Sequence, residues 1–126
     1  MVEPLNDAMR IQLDAAKLGF DWRELQELWD KLAEEVGELK QAVPEGPDRT
    51  RDELGDLLFM AVNLARHLNV DPARALTEAN AKFSRRFGFI LEHVEQLPPI
   101  GHPQRLDAME ALWQEAKMRE RMQDPK

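Results

Sequence analysis

Apolar residues recur at helical spacing along almost the whole chain, whereas no segment shows the sustained apolar-polar alternation that is typical of a half-buried strand. The sequence contains no tyrosine and few β-branched residues, which weakens any strand prediction further. Its clearest breaks are PEGPD at residues 44–48, NVDP at 69–72 and LPPIGHP at 97–103. We therefore predict an all-α fold, an antiparallel helical bundle whose neighbouring helices are joined by short connections.

Capping residues indicate where the predicted helices begin and end. Gly19 ends the first helix, Asp21 is the expected N-cap of the second, and Asp71 followed by Pro72 begins the fourth. A chain of 126 residues is expected to form one domain, residues 1–126, with a core of its own. The five predicted helices cover approximately residues 5–18, 22–43, 49–68, 72–97 and 104–122.

The chain is acidic, with a net charge of −7 and a pI near 5. Nucleic acid polymers and anionic membranes carry the same sign of charge, so we expect neither as a partner. No cysteine is present, which excludes disulfides, thiolate metal sites and cysteine nucleophiles. The sequence also lacks an apolar stretch long enough to span a bilayer and a secretory signal at its start, so we expect a cytoplasmic location.

Two of the predicted helices carry acidic residues at positions i and i+3 with a glycine between them: Glu35 and Glu38, then Glu53 and Asp56. On a helical wheel Glu35 and Glu53 fall inside the apolar face, and their partners lie at its edge. One such pair is typical of a solvated face, but two inward pairs are not. Carboxylates about 4 Å apart repel by about 4 kcal/mol at an effective dielectric constant of about 20, so the pattern predicts a bound cation.

Oxygen ligands without cysteine or histidine suit Mg²⁺, with Mn²⁺ as an alternative, and Mg²⁺ commonly completes its coordination with substrate phosphates. The glycines between the acids would let two helices approach and leave space beside the carboxylates. A ferritin-like di-iron site would need Glu-x-x-His motifs, which the sequence lacks. We interpret His67, His93 and His102 as solvated or hydrogen-bonded side chains that bind no metal.

Cations cluster on the fourth predicted helix, in the segment ANAKFSRRF. Lys82 and Arg86 are four residues apart and share a face, and the last helix pairs Trp113 with Lys117 at the same spacing. Such a cluster is usually a solvated face, and the nearby aromatic residues are more typical of packing than of base stacking. Beside a carboxylate-bound metal, however, arginine forks would neutralise phosphate oxygens that the metal does not reach.

With these residues in view, the chain resembles the MazG family of all-α nucleoside triphosphate pyrophosphohydrolases, most closely the second domain of the long tandem MazG proteins. The family's E-x-x-E and E-x-x-D metal signature falls on Glu35, Glu38, Glu53 and Asp56, with Glu34 as an extra acid. The resemblance is carried in order by AAKLGFDW, KLAEEVGEL, DELGDLLFMAVNLARHL, ANAKFSRRF and ALWQEAK. Two departures are the single domain and the lysine before E-x-x-D, which Arg49 or Arg51 replaces.

The resemblance implies Mg²⁺-dependent cleavage of a nucleoside triphosphate between the α and β phosphates, giving a nucleoside monophosphate and pyrophosphate in nucleotide-pool housecleaning. It places Glu34, Glu35, Glu38, Glu53 and Asp56 in catalysis, with Glu34 or Glu38 orienting the water. The base preference is open, so a dUTP- or dCTP-preferring enzyme of the same superfamily and a non-catalytic nucleotide-binding or interaction module are the alternatives. The residues assigned to substrate are Lys31, Asn80, Lys82, Arg85, Arg86, Trp113 and Lys117.

The third predicted helix is apolar around most of its circumference, including Leu64 and Leu68. A small monomer could not readily cover so much apolar surface. We therefore expect a homodimer or a dimer of dimers, as in similar family members.

Overall fold

The computed structural model describes residues 3–123, and these residues form α-helices and short 3₁₀ turns with no β-strand among them. The prediction of an all-α fold is confirmed. No helix in this part of the chain is both long enough and apolar enough to cross a membrane. The five α-helices are α1 (Pro4–Lys17), α2 (Leu25–Ala42), α3 (Pro47–His67), α4 (Pro72–Leu91) and α5 (Arg105–Gln123).

The start of α2 differs from the prediction, because Asp21 does not cap it. The N-cap is Glu24, whose backbone N–H donates to Glu27 Oε1 at 3.0 Å. Asp21 instead accepts hydrogen bonds from Arg66 of α3. The charge-assisted hydrogen bonds from Arg66 therefore hold the Asp21 carboxylate away from the helix end that the local sequence predicted it would cap.

The start of α4 follows the prediction, whereas its end does not. Asp71 Oδ1 accepts from the backbone N–H groups of Ala73 and Arg74, so it caps a helix whose first residue is Pro72. The helix ends at Leu91 and not near residue 97. Leu97 is extended, with φ −78° and ψ 149°, as expected of a residue before proline, and only a short 3₁₀ turn lies between.

Helices α1, α2 and α3 belong to a compact unit that ends at Ala75. The 3₁₀ turn Val43–Glu45 reverses the chain between α2 and α3, so these two helices pack antiparallel. Leu28 of α2 and Met60 and Val62 of α3 are buried. α3 also packs against α1, where Gln12 Nε2 donates to the backbone oxygen of Phe59 at 3.0 Å.

The loop between α1 and α2 is fastened to the end of α3 by charge. Arg66 donates to both carboxylate oxygens of Asp21, at 3.0 and 2.7 Å, and His67 Nε2 lies 3.0 Å from Asp21 Oδ1. The hydrogen bonds from Arg66 hold the pKa of Asp21 well below its usual range. The loop that begins at Gly19, with φ +90°, therefore has a fixed position on α3.

A second compact unit begins at Leu76 and contains the rest of α4 together with α5. The ring centroids of Phe83 and Trp113 are 5.4 Å apart, and the Arg119 guanidinium lies 4.7 Å from the centre of the Phe89 ring. These contacts join the two helices through aromatic and cationic side chains rather than through a wide apolar core.

Several apolar residues of α3 and α4 are not covered within a single chain. Leu54 and Leu58 of α3 are 44% and 57% exposed, and Leu76 and Phe83 of α4 are 50% and 57% exposed. The wheel identifies which residues share an arc of a helix, but it does not show how many neighbouring helices are available to cover that arc.

Candidate active site

Helices α2 and α3 bring three of the predicted metal ligands together. One carboxylate oxygen each from Glu35, Glu38 and Glu53 can be chosen so that all three lie within 4.8 Å of one another. Glu35 and Glu53 are buried, with 5% and 8% of their surface exposed, and Glu38 is half-buried. The inward direction that the helical wheel gave for Glu35 and Glu53 is therefore confirmed.

A second set of carboxylates extends the first along α3. Asp52, Glu53 and Asp56 also place oxygens within 4.8 Å of one another, so Glu53 belongs to both sets. Asp52 and Asp56 are exposed. Sequence reasoning missed Asp52, although its spacing of four residues from Asp56 puts both on one helix face. We call these five residues the acid group: Glu35, Glu38, Asp52, Glu53 and Asp56.

Each buried glutamate of the acid group has one oxygen paired and one oxygen without a partner. Glu35 Oε1 lies 3.3 Å from Lys31 Nζ, and Glu53 Oε1 accepts from Arg49 Nη2 at 3.0 Å. The Oε2 atoms of both glutamates are buried and have no hydrogen-bond partner among the described residues. An unpaired buried carboxylate oxygen is costly, so the arrangement favours occupation by a cation.

The carboxylates of the acid group also affect the pKa of Glu38. Partial burial, followed by repulsion from Glu35 and Glu53, raises the pKa of the Glu38 carboxyl above its usual value. Negative charge in the group is therefore in excess even with the two neighbouring cations present.

Lys31 and Glu34 lie together at the border of the acid group. The Lys31 ammonium is 3.2 Å from Glu34 Oε1, and hydrogen bonds to Glu34 and then Glu35 raise the pKa of Lys31. Glu34 itself is exposed and belongs to neither carboxylate set. Glu34, predicted as an extra acid, therefore lies near the acid group but is not part of it.

The structure distinguishes the two arginines that could replace the lysine before E-x-x-D. Arg49 pairs with Glu53, and also with Glu45 and Asp52 at 3.4 and 3.2 Å. Arg51 pairs with Asp48 instead. Arg49 is therefore the cation at the edge of the acid group.

Gly37 and Gly55 stand beside open space and not beside a neighbouring backbone. A Cβ atom placed on either would meet no heavy atom within 4 Å, leaving out the glycine's chain neighbours and nearby backbone of its own helix. The open space agrees with the expectation that the glycines leave room beside the acids. It does not agree with the expectation that they allow two helices to approach closely.

Some of the predicted substrate residues of the second unit form a cluster with a carboxylate that the sequence analysis did not single out. Glu120 accepts from Arg85 Nε at 3.3 Å and from Arg86 Nε and Nη2 at 3.2 Å each. The Arg86 guanidinium also lies 5.4 Å from the centre of the Trp113 ring. Hydrogen bonds from Arg86 and then Arg85 lower the pKa of Glu120. The spacing of seven residues from Trp113 places Glu120 on the same face of α5, but it does not indicate which arginine Glu120 contacts.

A shallow depression of about 390 Å³ lies on this surface. We call its charged residues the cation group: Arg85, Arg86, Lys117, Glu120 and Arg121. Four cations face one carboxylate, so the surface carries excess positive charge in an otherwise acidic chain. Asn80 and Lys82, on the preceding turns of α4, are exposed and outside this depression.

Each of the three histidines has a hydrogen-bond partner, and none belongs to a metal-ligand set within residues 3–123. His67 faces Asp21, His93 Nδ1 lies 2.9 Å from the backbone oxygen of Phe89, and His102 Nδ1 accepts from the Gln104 N–H. Their interpretation as hydrogen-bonded side chains agrees with this geometry.

Several known proteins are similar in sequence to this chain over most of its length. A family profile described as the MazG nucleotide pyrophosphohydrolase domain matches residues 23–88. The nucleoside triphosphate pyrophosphohydrolase/pyrophosphatase MazG of Thermotoga maritima is 39% identical over 117 residues, covering 93% of this chain and 45% of that protein. The nucleoside triphosphate pyrophosphohydrolase of Escherichia coli K12 is 40% identical over 117 residues, covering 90% of this chain and 44% of that protein.

A further relative, the uncharacterized protein YabN of Bacillus subtilis, is 44% identical over 69 residues, or 55% of this chain and 14% of its own length. The chain thus spans less than half the length of the two pyrophosphohydrolases that it matches.

Proposed function

The chain belongs to the MazG nucleotide pyrophosphohydrolase family, and from this premise we propose that it hydrolyses nucleoside triphosphates between the α and β phosphates. The products are a nucleoside monophosphate and pyrophosphate, and the role is removal of unwanted nucleotides from the cellular pool. The observation that carries the proposal is the pair of buried carboxylates, Glu35 and Glu53, each with an unpartnered oxygen. A chain with no use for a cation would gain nothing from this arrangement.

We assign the metal site to Glu35, Glu38, Glu53 and Asp56, with Asp52 beside them. All donors are carboxylate oxygens, which fits Mg²⁺, or Mn²⁺ in its place, and no thiolate or imidazole is present to favour a softer metal. The chemistry that such a cation supplies is polarisation of phosphoryl oxygens and a lower pKa for a bound water.

The side chains around the acid group have distinct roles in this proposal. Lys31 and Arg49 partly neutralise the carboxylates and hold Glu35 and Glu53 in place through their ion pairs. Glu34 or Glu38 orients the attacking water and accepts its proton. Glu34→Gln separates the two choices, because Glu34 belongs to neither carboxylate set. If Glu34 orients the water, this variant should lose turnover while metal binding remains.

We assign the triphosphate chain to the basic residues of α4 and α5. Arg86 is positioned by Glu120 and Trp113, which leaves its fork fixed before any phosphate arrives. Charge developing on the leaving pyrophosphate is then stabilised electrostatically by preset donors. The residues assigned to the phosphates are Lys82, Arg85, Arg86 and Lys117, and Asn80 and Trp113 are assigned to the nucleoside side.

We further propose that the protein works in the cytoplasm as a homodimer or a dimer of dimers, without nucleic acid polymers or membranes as partners. Exposed apolar residues such as Leu58, Leu76 and Phe83 support self-association, because water is a poor solvent for so many apolar side chains. Light scattering at the mass of one chain would contradict this.

The direct test is a panel of ribo- and deoxyribonucleoside triphosphates with Mg²⁺, with products separated by anion exchange. Monophosphate and pyrophosphate in equal amounts are expected. Diphosphate with inorganic phosphate would mean a different reaction. Turnover of dUTP or dCTP alone would favour the base-restricted alternative, and no turnover of any nucleotide would favour a binding module.

A further inference from the structure

The cation group contains one arginine that has no part in the proposed function. Arg121 lines the depression of about 390 Å³, but it is outside the residues that the family resemblance assigns to substrate. Three other cations of the depression are assigned to the phosphates: Arg85, Arg86 and Lys117. A surface that binds a chain of phosphates gains affinity from each further cation within reach of that chain. Arg121 would therefore extend the phosphate chain that the surface can bind.

Positive charge in the depression is offset on the α4 side but not on the α5 side. Glu120 accepts from Arg85 Nε at 3.3 Å and from Arg86 Nε at 3.2 Å, so both arginines of α4 have a carboxylate partner. Within residues 3–123, no side chain forms an ion pair or a hydrogen bond with the charged group of Lys117 or Arg121. The excess positive charge is therefore concentrated along α5.

The order of side chains along α5 gives this charge a direction. Trp113, Lys117 and Arg121 follow one another at intervals of four residues, so they extend over about 12 Å along one side of the helix. The Arg86 guanidinium lies 5.4 Å from the centre of the Trp113 ring and also lines the depression, so it connects the two. A nucleotide with its nucleoside toward Trp113 and its first phosphates at Lys117 would direct its last phosphate toward Arg121.

We infer that Arg121 is a specificity-determining residue that binds the terminal phosphate of the ligand and so distinguishes a triphosphate from a diphosphate. A terminal phosphate has more unbridged oxygens than an internal one, and the planar fork of arginine can donate two hydrogen bonds to it. The phosphates that both ligands share are bound by Arg86 and Lys117. The inference rests on the proposed function and deepens it, because it names the residue that favours a third phosphate.

The test compares the affinities of ADP and ATP, which differ by one phosphate, and it requires neither metal nor hydrolysis. Isothermal titration in EDTA at low ionic strength measures both dissociation constants for each variant. We expect the unmodified protein to bind ATP about 10-fold more tightly than ADP, and Arg121→Gln to reduce this ratio to about twofold or less by weakening only ATP binding. Arg121→Lys should retain part of the difference, because it keeps the charge but loses the fork.

Arg119→Gln is the matched control on the same helix. Arg119 carries the same charge as Arg121, but it pairs with Glu115 at 3.1 Å and is not among the residues that line the depression. Its replacement should leave the ratio of the two affinities within about twofold of the parent value. Arg121 is exposed, so its substitution should not prevent folding, and a melting curve without ligand verifies this.

An unchanged ratio in Arg121→Gln, an equal fall of the ratio in Arg119→Gln, or failure of the unmodified protein to bind ATP in EDTA would overturn the inference. Equal losses of affinity for ADP and ATP would also overturn it, because Arg121 would then contribute only general positive charge. The nucleotide panel tests the proposed function separately. If no triphosphate is hydrolysed but the ratio depends on Arg121, the proposed function is wrong and the role of Arg121 in phosphate binding stands. Normal hydrolysis with a ratio that does not depend on Arg121 would remove only this inference.

Discussion

The acid group and the cation group surround a glutamate with opposite electrostatic conditions. Glu38 lies among other carboxylates and its pKa is raised, whereas Glu120 lies between Arg85 and Arg86 and its pKa is lowered. Glu120 offsets part of the positive charge of the cation group. The negative charge of the acid group is less well offset, because the Oε2 atoms of Glu35 and Glu53 have no hydrogen-bond partner within residues 3–123. The cation group can therefore bind an anion without first binding another ion, whereas the acid group needs a bound cation to offset its charge.

The largest effect is expected from removing the carboxylate that both ligand sets share. Glu53→Gln should lower triphosphate turnover by about 100-fold or more, because Glu53 belongs to both carboxylate sets. The parent should gain about 2.7 kcal/mol of stability when Mg²⁺ is present at 100 times its dissociation constant, and this variant should gain almost none. Thermal melts with and without Mg²⁺ measure the second effect.

Asp56→Asn provides a second ligand variant with the same expected loss. If both variants still respond to Mg²⁺ as the parent does, the assignment of the metal site is wrong. Their apo forms can even be more stable than the parent, since each substitution removes a repelling charge.

Replacing a lysine assigned to phosphate tests whether phosphate binding and metal binding depend on different residues. Lys82→Ala should lower kcat/KM by about 10- to 100-fold without changing the Mg²⁺-induced rise in melting temperature, because Lys82 is assigned to phosphate. Lys40→Ala is the matched control, since it removes the same charge from an exposed position of α2. Equal losses in the two variants would mean that only the overall charge matters.

The two arginines at the start of α3 allow a smaller, closely matched test. Arg49→Gln removes the partner of Glu53, so apo stability should fall and Mg²⁺ affinity should rise by a few-fold as a competing cation disappears. Arg51→Gln breaks only an exposed pair with Asp48 and should leave both properties almost unchanged. Isothermal titration with Mg²⁺ distinguishes the outcomes, and identical affinities would argue against a role for Arg49.

The smallest expected effects are pH dependences of opposite sign. Because the folded state raises the pKa of Glu38, its contribution to apo stability should decline as pH rises from the unfolded pKa through the folded pKa. Because the folded state lowers the pKa of Glu120, its contribution is present above the unfolded pKa and is lost as pH falls through the folded pKa.

Chemical denaturation of Glu38→Gln and Glu120→Gln between pH 3 and 7 would measure these slopes. We expect the first variant to be at least as stable as the parent near pH 7 and to lose that advantage in acid. The second should be less stable near pH 7 and should match the parent in acid. Slopes of the same sign would show that the two environments do not differ as described.

Features set by neighbours along one helix could be predicted from the sequence. The inward positions of Glu35 and Glu53 follow from helical periodicity, and the start of α4 follows from Asp71 and Pro72. Partners distant in the chain could not be predicted in this way. Arg66 is 45 residues from Asp21 and removed it from the expected cap.

The same limit applies to the candidate site. Glu120 contacts Arg86 across 34 residues, and no local pattern indicates which carboxylate an arginine will choose. The orphaned oxygens of the acid group were equally invisible, because they depend on how α2 and α3 lie against each other. The sequence shows which residue types could bind a cation. Only the structure shows which of their oxygens lack a hydrogen-bond partner.

The unpartnered oxygens of Glu35 and Glu53 also have a meaning for how this chain can evolve. They are a point of local frustration, where the best sequence for folding and the best sequence for function disagree. Apolar residues at these two positions would give a more stable helix pair, so selection for thermostability alone should erode the acids first. Retention of both carboxylates in a heat-adapted descendant would therefore record continued use of the site more sensitively than retention of the fold.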